Sequence, residues 1–177
     1  MVGRMDAGLQ LWALSVWEPW TWAIVELPEG RAKRIENRAW PPYPWIRRRR
    51  WIALHSAQRF DDEEARILVG QRGGTLPPSY QSAAMRERQG KIHALVRIDG
   101  SVDPYGLHQI APDDVEQHAL WWAESQYAWR VGAVHKLADP VEVRGAQKVW
   151  RVPVPAAARA LAQVPAEIVA ALARPGT

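Results

Sequence analysis

The chain has 177 residues, 47% hydrophobic and 24% charged, which is enough for one domain with a substantial core. It contains no cysteine, excluding disulfides and thiolate metal centres. Its formal net charge of +4 is unevenly placed: residues 29–50 carry eight Lys/Arg against two acids, so the rest of the chain is net negative.

Leu11–Val16 reads as a first strand and Glu18–Leu27 as a short helix, with Pro19 in its first turn, where a missing N–H costs nothing. Pro28-Glu29-Gly30 ends that helix. Lys33–Trp40 is a second strand, stopped by Pro41-Pro42-Tyr43-Pro44, and Trp51–Ser56 is an apolar run that suits a buried strand. Asp61–Leu68 has helical character with acids at its positive end, and Gly70–Gly90 reads as a long loop broken by a helical turn. In Lys91–Ile98, Ile92, Ala94, Val96 and Ile98 alternate with polar partners at period two. Pro112–Ala123 is helical in pattern, Gln126–Leu137 and Val141–Val152 supply further strands, and Pro155–Val164 and Pro165–Ala173 are terminal helices, each begun by a proline. Strands interrupted by a few helices predict an α+β chain, a mixed β-barrel with helices packed at its openings. No apolar run approaches bilayer length, and the first ten residues, with Arg4 and Asp6, hold no signal-type stretch. A cytoplasmic protein with no membrane partner is expected.

The richest segment is SVWEPWTWAIVELPEGRAKRIENRAW, Ser15–Trp40. Three tryptophans within six residues are followed by Lys33, Glu36 and Arg38, and then by Trp40. Ionisable groups beside flat aromatic faces suit a planar, polar ligand such as a nucleobase. On a regular strand Glu36 and Arg38 share a face and Lys33 lies opposite, so the three meet only if the chain bends near Lys33. If they converge, Glu36 stays ionised between two cations, and burial would pull the Lys33 pKa down.

This segment resembles the ASCH family of the PUA-like superfamily. Ser15, Pro19 and Trp20 match its SxxxPW opening, and Lys33, Glu36 and Arg38 match the K-x-x-E-x-R core of its GxKxxExR motif. The motif glycine falls at Arg31; Gly30 stands one position early. WIALHSA (Trp51–Ala57), SQYAW (Ser125–Trp129) and VEVRGAQKVWRVP (Val141–Pro153) are similar to later family segments. The resemblance implies a small PUA-like β-barrel over residues 11–153, with an N-terminal tail at 1–10 and a helical extension at 154–177. In members that hydrolyse N4-acetylcytidine, it assigns work to the motif lysine, to a threonine three residues on, and to a distant glutamate. Lys33 matches the first, Glu36 replaces the threonine, and Glu116 and Glu124 both fall in the region of the third.

The candidate site is therefore Lys33 and Glu36 in catalytic positions, with Ser15, Trp17, Arg38 and Trp40 facing a ligand. Trp22 reads as core, since it shares a helical face with Val25 and Glu26. Arg47, Arg48, Arg49 and Arg50 form a basic run after a rigid aromatic stretch, suited to hold phosphates without reading sequence. His55 reads as a satisfied core histidine, and Tyr127, Trp129, Arg144 and Trp150 mostly as core, with Arg144 alternatively a phosphate or pocket contact. The histidines show no ligand spacing, so no metal and no cofactor are expected. Two functions follow. The first is a module that binds RNA or a nucleoside; the second is a hydrolase using the same pocket, on acylated cytidine or on RNA. An adaptor with surface tryptophans is a third class. Binding ranks first, because a carboxylate at position 36 serves as a base for water but not as an alcohol nucleophile.

Overall fold

The computed structural model of the chain describes residues 9–49, 51–60, 82–106, 121–123 and 125–173, with backbone alone at 47–49 and 82. Strand β1 (Trp12–Glu18) leads into helix α1 (Trp20–Val25), a 3-10 turn at Glu29–Arg31 and strand β2 (Ile35–Arg38). Helix α2 (Pro44–Arg49), strand β3 (Trp51–Phe60), helix α3 (Ser82–Arg88) and strand β4 (Lys91–Val102) follow. The described chain then continues with β5 (Tyr127–Glu142), β6 (Val149–Arg151), α4 (Val154–Leu161) and α5 (Ala166–Ala173). No helix among the described residues is long and apolar enough to cross a membrane.

The strands form one six-stranded sheet in the order β2-β5-β4-β3-β1-β6. Only β1 and β3 run parallel; every other pair is antiparallel. Register fixes two cores. The row Ala13–Ala53–Leu95 faces α4 and α5, packing with Trp150, Ala157, Ala160, Leu161, Ile168 and Leu172. The adjacent row Leu14–Leu54–Ala94 faces the opposite side, with Val16, Ile46, Ile52 and Trp129. This is the alternation that a period of two demands of a sheet covered on both faces. The terminal helices thus share a core with the strands.

The α+β class holds. The closed barrel does not, because the backbone ladder ends at β2 and β6. Even so, the sheet curls. Strand β6 covers β1 only from Trp12 to Leu14, and just beyond, Arg38 on β2 donates its Nη2 to the carbonyl of Ser15 on β1 at 2.8 Å. A side chain, not a ladder, spans the remaining gap. Helix α1 has six residues, too few to persist alone, and is held by its buried face of Thr21, Trp22, Ala23 and Ile24. It packs against β1, β3, β4 and β5 across the open end of the curl.

Two elements differ from the sequence reading. The two expected strands 126–137 and 141–152 are one long β5 followed by the short β6, with Pro140 inside β5. The β4–β5 register shifts between the pairs Ala94–Lys136 and Ile92–Val141, so Pro140 falls where no ladder bond is required. The basic run, for which the sequence reading has no helix, begins inside one: Pro44 starts α2, whose sequence is PWIRRR. The helical turn expected within 70–90 is α3, while 70–81 lie outside the described residues. The helix expected at Asp61–Leu68, and residues 112–120 of the one expected at Pro112–Ala123, also lie outside them.

Candidate functional site

Lys33, Glu36 and Arg38 meet. The chain leaves α1 through the 3-10 turn, and the Lys33 backbone N–H bonds to the Ala23 carbonyl at 3.0 Å. Strand geometry begins only at Ile35, so Lys33 is free of strand alternation and turns back towards Glu36. This is the required bend, and the 3-10 turn rather than Gly30 makes it: Gly30 has an ordinary φ and open space where a Cβ would stand. Lys33 Nζ donates to Glu36 Oε2 at 2.7 Å and to the Ile35 carbonyl, and Arg38 Nη2 lies 2.9 Å from Glu36 Oε1. Lys33 and Glu36 are 3% and 6% exposed, so the pair is out of bulk water. Burial alone would raise the Glu36 pKa; the Lys33 ammonium and Arg38 guanidinium outweigh it and hold the carboxyl below its ordinary value.

Trp20 completes this cluster. Lys33 Nζ lies 5.8 Å from the centre of the Trp20 ring, whose edge meets Trp121. Trp20 was read from sequence only as a motif match, not as a site residue. Its position next to the proline was the available signal. Arg38 adds a second feature: its Nε–H is buried and has no hydrogen-bond partner among the described residues. A buried unpaired donor carries a desolvation cost of about 1–3 kcal/mol unless something accepts from it.

Ser15 contributes differently from its sequence role. Its carbonyl receives Arg38, but its hydroxyl lies on the other face of β1 with Ala13. There His55 Nε2 donates to the Val143 carbonyl at 3.1 Å, which leaves Nδ1 to accept from the Ser15 hydroxyl at 3.1 Å. Trp150 Nε1 donates to Ser15 Oγ at 3.0 Å. Burial lowers the His55 pKa against the pull of the Val143 carbonyl, so the ring is neutral as this tautomer requires. The backbone at Gly145 closes over the knot: a Cβ there would stand 2.3 Å from His55 Cε1. His55 is a satisfied core histidine, as its sequence position suggested.

Trp22, Trp129 and Trp150 are buried, as read, but Arg144 is exposed and is not part of the core. Trp17 is 39% exposed, with the Arg59 guanidinium 4.1 Å over its ring. Trp40 is half-buried, edge-to-face with Trp129 at 4.8 Å, and its carbonyl accepts from Trp129 Nε1 at 3.0 Å. Trp40 is near the charged cluster through Trp129, which pairs with Glu36 in register. Arg47, Arg48 and Arg49 belong to α2, while Arg50, Glu116 and Glu124 lie outside the described residues. No protein-family model matches the chain, and no curated protein does.

A second buried charge network lies beside α1. Glu18 is fully buried; its carboxylate accepts from the Trp22 N–H at 3.1 Å and from Arg88 Nε at 3.0 Å. Burial raises its pKa and outweighs Arg88. Arg88 also reaches Glu26, which pairs with Lys136, and the Arg88 carbonyl accepts from His93 Nε2 at 2.7 Å. This network joins β1, α1, α3, β4 and β5, so its first effect is to tie helices to sheet. Among the described residues, no group of three metal-ligating side chains is placed to hold an ion.

Proposed function

We propose that the Lys33–Glu36–Arg38 cluster is a nucleobase site, and that the chain is an RNA- or nucleoside-binding protein of the ASCH type with a PUA-like architecture. The observation that carries this reading is the buried Nε–H of Arg38, unpaired among the described residues, next to charges that otherwise satisfy one another. A base carbonyl or ring nitrogen supplies the acceptor it lacks. Trp20 offers an aromatic wall, and the fixed carboxylate of Glu36 offers an acceptor for an exocyclic amine. Arg47 to Arg50 supply phosphate contacts beyond the base.

Hydrolysis through the same cluster is the second reading, and the direct Lys33–Glu36 contact favours it. It ranks lower because the two cations that hold the Glu36 carboxyl low also make it a weak base for water. Titrating cytidine, N4-acetylcytidine and short RNAs into the protein, with product followed by chromatography, separates the two. Binding without turnover is the expected result. Turnover that Lys33→Ala abolishes would establish the enzyme, and absence of any binding would remove the site.

A further inference from the structure

The segment between β2 and β3 holds its aromatic rings in a row. From buried Trp129 the series runs to Trp40 at 4.8 Å, to Tyr43 at 5.1 Å, to Trp45 at 6.1 Å and to Trp12 on β1 at 4.8 Å. Tyr43 and Trp45 are nearly parallel, 11° apart, and Tyr43 is 37% exposed. Trp12, Trp40 and Trp45 are each half-buried, with one side on the concave core. Core packing explains the inner faces but not an exposed Tyr43 standing between two tryptophans. Pro41, Pro42 and Pro44 interleave with these rings in sequence and restrict the backbone that carries them, so less backbone entropy remains to be lost on contact. The row begins next to Glu36, through its register partner Trp129, and its Trp45 stands two residues before the run of arginines.

We infer that Trp40, Tyr43 and Trp45 form a stacking track for the bases of single-stranded RNA that follow the one held at Arg38. The inference rests on the nucleobase reading above and extends it from a single base to a strand. Every base has a π-face, so such a track is tolerant of sequence, and the arginine run beside it matches the phosphates in sign. Charge selects a polyanion over a proline-rich peptide, the other ligand that aromatic rows accept.

The test titrates the full chain with cytidine and with oligocytidylates of two to six nucleotides, read by competition against a fluorescent hexamer. For the native protein, affinity is expected to rise with each added nucleotide until the track is filled. Tyr43→Ala should weaken hexamer binding by about tenfold while leaving cytidine affinity unchanged, and Tyr43→Phe, which keeps the ring, should restore it. Equal hexamer affinity in the native protein and Tyr43→Ala overturns the track, as does a hexamer that binds no better than cytidine. Loss in Tyr43→Phe as large as in Tyr43→Ala also overturns it, because the hydroxyl and not the ring would then be responsible. Failure of both cytidine and hexamer to bind removes the underlying site and the track together; cytidine binding without a length effect removes the track alone.

Discussion

Glu36 accepts from two cations within 3 Å while almost out of contact with water. Removing one member of such a cluster leaves the others buried and unpaired, so Glu36→Ala should cost about 3–5 kcal/mol in urea unfolding. Lys33→Ala should cost less, because Arg38 still neutralises the carboxylate. The Ser15–His55–Trp150 knot is equally sensitive for a steric reason. Gly145→Ala drives a methyl into a histidine ring pinned by hydrogen bonds on both nitrogens, with an expected loss of about 1–3 kcal/mol by thermal unfolding. At this scale the sequence was informative about which residue types matter and less so about direction. It named Ser15, but not that the strand's parity sends its hydroxyl away from Arg38 and only its carbonyl towards it.

Strand β5 shows what patterning leaves out. Its alternation is legible on both sides of Pro140, and the proline reads as a break. Whether it is one depends on the partner strand, and β4 shifts register at that point. Pro140→Ala should therefore lower stability by about 0.4–1 kcal/mol, through a freer unfolded chain, instead of raising it by restoring a ladder bond. Helix α2 makes the complementary case. No periodic signal marks a helix at the arginine run, but Pro44 at the first helical position and the buried Ile46 start one that carries Arg47–Arg49. The convergence of Lys33 with Glu36 was legible only as a condition, because it needed a bend whose cause, the 3-10 turn at Glu29–Arg31, has no periodic signature. The period-two segment of β4, the core tryptophans and both terminal helices were legible because burial pattern and proline position agree there.

Across the whole molecule, acid acts first through two buried histidines, His55, which burial holds below its ordinary value, and His93. Burial and the neighbouring Arg88 lower the His93 pKa from 6.5 to about 4. The unfolded chain therefore takes up a proton near pH 6.5 that the native protein refuses until about pH 4, and stability is lost as pH falls through that window. The loss from this group is at most about 3 kcal/mol. Glu26 and Glu36, both held low by cations, extend the loss at still lower pH, below the ordinary carboxylate range. Glu18, with its raised pKa, works in the opposite sense, contributing most when protonated. Denaturant midpoints measured from pH 7 to 4 should fall, and His93→Gln should flatten that slope. The position of β1 has a consequence of another kind. Its hydrogen-bonding neighbours are β3 and, from the far end of the chain, β6, and the Trp150 indole reaches Ser15 across 135 residues. During synthesis β1 cannot complete its pairing until β6 has emerged, a closure across most of the described chain that slows folding and leaves one edge of β1 open meanwhile.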